Sequence, residues 1–154
     1  MLESGDQAPE FALPNADLEV TQSSDFRGVK NLVIYFYPKN DTPGCTLEAI
    51  EFTDLLDEFA GLDTEIIGVS KDTCLSHGDF RDKHGISFHL LADTEGVMCE
   101  EYGICREKEA HGEKRMGIMR STFVIDKDGI IHHALYDVKP KGHASQVLEL
   151  VKTL

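Results

Sequence analysis

The sequence predicts an α/β fold, a mixed central sheet flanked by helices and preceded by an N-terminal hairpin. Three observations carry this. Short runs rich in β-branched and aromatic residues, at 32–37, 65–70 and 121–125, read as buried strands. Between the first two lies a longer stretch with apolar residues at three- and four-residue spacing, which reads as an amphipathic helix. A strand–helix–strand order makes those two strands parallel through a right-handed crossover, whereas a tight turn makes the last pair antiparallel.

Residues 1–8 are polar and lead up to the first ordered residues. Residues 9–13 and 18–21 form a small hairpin around Asn15, Ala16 and Asp17, and 23–27 a turn of helix ended by Gly28. After the 32–37 strand, the helix over 45–60 places Ala49, Phe52, Leu56 and Phe59 on one face, and Gly61 stops it. Beyond the 65–70 strand and the loop Lys71-Asp72-Thr73, a helix of about ten residues runs through His84 to Gly85. Residues 87–91 form a short extended segment. Asp93 is placed to cap a helix over 95–102, with Gly103 after it. Residues 104–117 carry charges of both signs and two glycines and read as a long loop. The 121–125 strand turns at Asp126-Lys127-Asp128-Gly129 into a returning strand over 130–136. An amphipathic helix over 142–153 closes the chain, with Val147, Leu148, Leu150 and Val151 as its apolar residues. No repeat or linker divides residues 1–154, so one domain is expected.

Composition narrows the function classes. The 154 residues are 41% hydrophobic and 28% charged, the balance of an ordinary globular domain. A formal charge of −13 argues against nucleic acid and anionic membrane surfaces as partners. The N-terminal MLESGDQAPEF has no basic region followed by an apolar stretch, and no apolar run reaches membrane-spanning length. A cytoplasmic location is the expectation. The four cysteines, Cys45, Cys74, Cys99 and Cys105, form no C-x-x-C pair. In a reducing compartment such thiols stay free and any disulfide is transient, which favours a redox role for at least one over a structural framework. Cys99, among Val97, Met98 and Tyr102, reads as packing. The seven histidines are scattered, and none is placed by a recognisable motif, so neither a metal site nor a cysteine hydrolase is expected.

Chemistry concentrates between the first parallel strand and the helix after it. Thr42 suits an N-cap and Pro43 the first helical position, where its missing N–H costs nothing. Cys45 therefore falls in the first turn, at the positive end of the helix dipole, where negative charge on sulfur is favoured. A helix N-terminus beyond the carboxyl end of a central strand is also where open α/β sheets place their sites.

Pro38-x-x-x-Thr42-x-x-Cys45 matches the active-site pattern of peroxiredoxins, and YFYPKNDTPGCTLE resembles the PrxQ/BCP (bacterioferritin comigratory protein) subfamily. MGIMRSTFVID, containing Arg120, resembles the second signature of that subfamily. The order of elements over the whole chain agrees, so the resemblance implies a thioredoxin-like fold. It also implies a thiol-dependent peroxidase acting on hydrogen peroxide and organic hydroperoxides, without metal, haem or flavin. Cys45 would attack the peroxide and become a sulfenic acid. Arg120 would support the thiolate and polarise the peroxide. By itself, an arginine ahead of a strand reads as a surface residue. Thr42 would hold the peroxide, Pro38 would screen the site from water, and the Gly44 and Cys45 amides would stabilise developing charge. Glu48 would position a neighbour such as an arginine. Thioredoxin or a similar thiol would regenerate a monomer or homodimer.

One departure matters. Many PrxQ-type proteins carry a resolving cysteine five residues after the attacking one, and this chain has Ile50 there. Cys74, just past the second parallel strand on the same sheet edge as Cys45, is the first candidate to resolve the sulfenic acid. An external thiol is the second, and Cys105, in the expected loop, the third. A non-enzymatic redox sensor and a thiol–disulfide oxidoreductase are the rival functions.

Overall fold

The computed structural model describes residues 1–154, with the side chains of all but Lys108, Ala110 and Arg115. The elements keep the predicted order, apart from a divided first helix and an added hairpin. They are β1 (Ala12–Pro14), β2 (Val20–Gln22), β3 (Asn31–Phe36), α1 (Pro43–Asp54), α2 (Leu56–Ala60), β4 (Thr64–Ser70) and α3 (Cys74–His84). Then come β5 (His89–Ala92), α4 (Val97–Glu101), β6 (Cys105–Ala110), β7 (Glu113–Ile118), β8 (Ser121–Ile125), β9 (Ile131–Leu135) and α5 (His143–Val151). A 3₁₀ turn, Ser23–Asp25, follows the β1–β2 hairpin.

The central sheet has five strands in the order β5-β4-β3-β8-β9. β3 pairs parallel with β4 and antiparallel with β8, so it is central and mixed, as expected. Its alternation divides two cores. Leu32, Ile34 and Phe36 face a cluster with Ile67, Val69, Phe123 and, from α4, Met98 and Cys99. Val33, Tyr35 and Tyr37 face the other cluster, where α1 contributes Cys45, Ala49 and Phe52 and α5 contributes Val147 and Val151. Cys45 and Cys99 thus belong to opposite faces of the sheet.

The structure corrects three expectations. The 45–60 helix is broken at Leu55, whose φ of −100° and ψ of 6° leave the helical region. Two residues earlier, the Thr53 hydroxyl donates to the Ala49 carbonyl at 2.8 Å, a back-bond that bends helices. The segment read as a loop over 104–117 is mostly the β6–β7 hairpin, in register from Cys105↔Ile118 to Ala110↔Glu113. Its charged strands pair only with each other, so no alternation of buried and exposed residues marks them. The helix expected over 95–102 shrinks to Val97–Glu101 and starts from Gly96, at φ +73°. Asp93 still serves it, accepting from the amides of Met98 at 3.2 Å and Cys99 at 2.8 Å.

Candidate active site

α1 begins where the sequence places it, with Thr42 as N-cap at φ −86° and ψ 153° and Pro43 first in the helix. The cap works differently from expectation, because the Thr42 side chain makes no capping bond. Its hydroxyl donates instead to the Lys39 carbonyl at 2.8 Å. With its proton committed, that oxygen presents only lone pairs elsewhere, so it is an acceptor. Thr46 N–H bonds the Thr42 carbonyl at 2.9 Å, and the amides of Gly44 and Cys45 precede that bond at the free end of the helix.

Cys45 is 2% exposed. Arg120 reaches it from the segment between β7 and β8, with Nη2 3.3 Å from Sγ. Nη1 donates to Glu48 Oε1 at 2.7 Å. Glu48 lies one helical turn after Cys45, so the two side chains share a face and one guanidinium spans both. Ser121 pairs with Phe36 across the sheet, which brings Arg120 to the carboxyl end of β3. The Val138 amide donates to the Arg120 carbonyl at 3.0 Å and fixes its backbone. Gly44 has a packing reason: a Cβ there would lie 3.3 Å from both Arg120 Nη2 and Pro140 Cγ.

Glu48 is fully buried, and its Oε2 has no hydrogen-bond partner among the described residues. Burial pushes its carboxyl up to about 7, and this outweighs the opposing pull of Arg120. With a folded-state value above the ordinary 4.5, Glu48 costs no stability below 4.5, where it is protonated whether folded or unfolded. The cost then grows as pH rises to about 7. Glu48→Gln should therefore gain stability on the wild type between pH 5 and pH 8, by up to about 3 kcal/mol. Urea unfolding at both pH values checks this; an unchanged difference would separate the burial of Glu48 from its charge.

Tyr35 was not singled out by sequence. Its ring stacks on Phe52 at 4.7 Å and on Tyr37 at 5.4 Å, and its buried hydroxyl is also without a hydrogen-bond partner among the described residues. Burial first, then the neighbouring Tyr37, Glu48 and Cys45, keep that phenol well above its ordinary value and therefore neutral. An apolar-looking strand gave no sign of this hydroxyl.

The remaining candidates separate. Pro38 is exposed in the loop after β3. Cys74 is a free, half-buried thiol and opens α3 after the capping Thr73. Cys105, the other cysteine proposed as a resolver, is not a free thiol. It is bonded to Cys99 across the base of β6, on the sheet face away from Cys45. Cys99 is therefore a disulfide partner rather than packing alone. Six residues of separation give the bond a short loop to close, worth about 2 kcal/mol in the chain-entropy picture. With Cys45 and Cys74 the free thiols, protein denatured without reductant should titrate two thiols and fully reduced protein four. Four without reduction would remove the Cys99–Cys105 bond.

The AhpC/TSA family matches residues 4–134. The chain belongs to that family. It is 42% identical to peroxiredoxin Bcp of Bacillus subtilis over 153 residues, which is 99% of this chain and 97% of that protein. Against peroxiredoxin Bcp of Escherichia coli K12 the identity is 38%, covering 98% of this chain and 96% of that one. Among solved structures, a cysteine-to-serine mutant of Xylella fastidiosa PrxQ superposes with a TM-score of 0.92 at 34% identity, covering 99% and 97% of the two chains. The bacterioferritin comigratory protein of Xanthomonas campestris, studied for alkyl peroxide reduction, gives 0.88 at 38% identity, with 93% and 90% covered. The thioredoxin-like α/β fold and the PrxQ/BCP assignment both stand on these likenesses. Among the described residues, no helix is long and apolar enough to cross a membrane.

Proposed function

We infer that the protein is a thiol-dependent peroxidase that reduces hydroperoxides through Cys45. The observation that carries this is the guanidinium of Arg120 held 3.3 Å from a nearly buried sulfur at a helix N-terminus. The Cys45 thiolate attacks one peroxide oxygen, a sulfur–oxygen bond forms, and the O–O bond breaks. The departing alkoxide or hydroxide takes up a proton and leaves as alcohol or water, while the sulfur is oxidised to sulfenic acid. Arg120 donates to the sulfur and to the approaching oxygen, and the amides of Gly44 and Cys45 meet the developing charge. Thr42, as an acceptor, takes the peroxide O–H and so orients the oxygen to be attacked. Pro38 shields the loop side, and Glu48 fixes the guanidinium.

The cycle closes with a second thiol. Cys74 attacks the sulfenic sulfur, water leaves, and a Cys45–Cys74 disulfide forms. Its support is topological: β3 and β4 are parallel neighbours, about 4.8 Å apart, and both cysteines lie beyond their carboxyl ends. Otherwise an external thiol reduces the sulfenic acid directly. Thioredoxin or a similar dithiol regenerates the enzyme, which acts in the cytoplasm as a monomer or homodimer, with no nucleic acid or membrane partner. Turnover is the test. Supplied with a dithiol, the protein should consume many equivalents of hydrogen peroxide; consumption that stops near one equivalent would make Cys45 a redox sensor.

A further inference from the structure

A buried polar network outside the reacting centre joins the Thr42 loop to α3. His77, fully buried on α3, has Nε2 2.9 Å from the Leu91 carbonyl of β5. A carbonyl only accepts, so Nε2 carries the proton and Nδ1 presents a lone pair. The Asn40 side-chain amide donates to that Nδ1 at 3.0 Å and to Ser76 Oγ at 3.1 Å. Asn40 Oδ1 accepts from the Tyr37 hydroxyl at 2.6 Å, and its backbone amide donates to Asp72 Oδ2 at 2.9 Å. The Ser70 hydroxyl donates to the same Asp72 oxygen at 2.6 Å. Burial pushes the His77 imidazole below its ordinary value, which agrees with the neutral ring the geometry requires.

Asn40 is thus held from four sides, although it sits in an irregular loop. Its neighbour Lys39 supplies the carbonyl that takes the Thr42 hydroxyl proton. Asp41, at a left-handed φ of 62°, is tied to Lys83 and His84 at the far end of α3. These last contacts are exposed and contribute little. The directional, buried bonds are those of Asn40.

We propose that His77 is a positioning residue for peroxide reduction: through Asn40 it fixes the loop that aims the Thr42 oxygen. The proposal rests on the peroxidase reading and adds a residue, distant from the Thr42 loop in sequence, on which its rate depends. Misplacing a reacting group by about 1 Å costs up to about 10²-fold in rate. His77→Phe removes the acceptor and keeps the bulk, so the peroxide reaction of Cys45 should slow by about 10- to 100-fold. Alkylation of Cys45 by iodoacetamide needs no oriented Thr42 and should hold within about two-fold. His77→Asn, whose amide oxygen can stand where Nδ1 stood, should recover most of the loss. Asn40→Ala cuts the same link from the loop side and should match His77→Phe, which covers the case in which the core variant fails to fold.

Amide hydrogen exchange decides the structural half without peroxide. Peptides over 38–44 should exchange at least about ten-fold faster in His77→Phe and Asn40→Ala, with the central sheet unchanged. Unchanged exchange there overturns the proposal, whether or not the wild type reduces peroxide. A wild type inert to peroxide would instead remove the peroxidase reading. Given an active wild type, a His77→Phe or Asn40→Ala variant at full peroxide rate overturns the proposal. So does an equal fall in peroxide and iodoacetamide rates, or a His77→Asn variant as slow as His77→Phe.

Discussion

Arg120→Ala should slow peroxide reduction by roughly 10²- to 10³-fold, the scale of losing one preorganised donor aimed at developing charge. Nη2 is the side-chain donor on the Cys45 sulfur, and no other cation is in hydrogen-bonding contact with it among the described residues. The same change leaves Glu48 buried without the partner of its Oε1. Breaking a buried ion pair costs about 3–5 kcal/mol when the remaining charge must stay ionised. The stability loss should therefore be largest near pH 8 and smaller near pH 5, where Glu48, at about 7 even with Arg120 present, takes up a proton. Adding Glu48→Gln to Arg120→Ala should restore stability without restoring activity. Urea unfolding beside stopped-flow peroxide consumption separates the two effects. Recovery of both together would mean that Arg120 acts only through packing.

Cys45→Ser carries the second large effect. A serine hydroxyl is close in size to the thiol and fits the same 2%-exposed place, so the fold should survive. The hydroxyl stays un-ionised and is a poor nucleophile toward a peroxide oxygen, so turnover should fall by roughly 10³-fold or more. Circular dichroism and peroxide consumption on the same sample check the pair of outcomes.

Much of this was legible in the sequence, for physical reasons. β3, β4 and β8 are short and buried on both faces, so they appear as apolar runs whatever their partners. The start of α1 is written locally in Thr42, Pro43 and Gly44, and that alone puts Cys45 at a helix terminus. Arg120 is different. No spacing rule joins positions 75 residues apart, and its place beside Cys45 depends on β8 pairing with β3. Only the resemblance marked it in advance. The β6–β7 hairpin buries no alternating face, so its charged residues looked like a loop. Cys105 is folded back onto Cys99 by the turn after α4, where the Ile104 amide donates to the Cys99 carbonyl at 3.1 Å, and no motif marked that pairing. The Asn40–His77 network escaped for a further reason: each residue is ordinary alone, and only folding brings the loop onto α3.

The most direct measurement is mass spectrometry of peptides after one equivalent of hydrogen peroxide, with and without a sulfenic acid trap. The expected result is oxidation confined to Cys45, either as a trapped sulfenic acid or as a Cys45–Cys74 disulfide, with Cys99–Cys105 unchanged. Oxidation on another residue while Cys45 stays a free thiol would contradict the assignment of Cys45 as the attacking group.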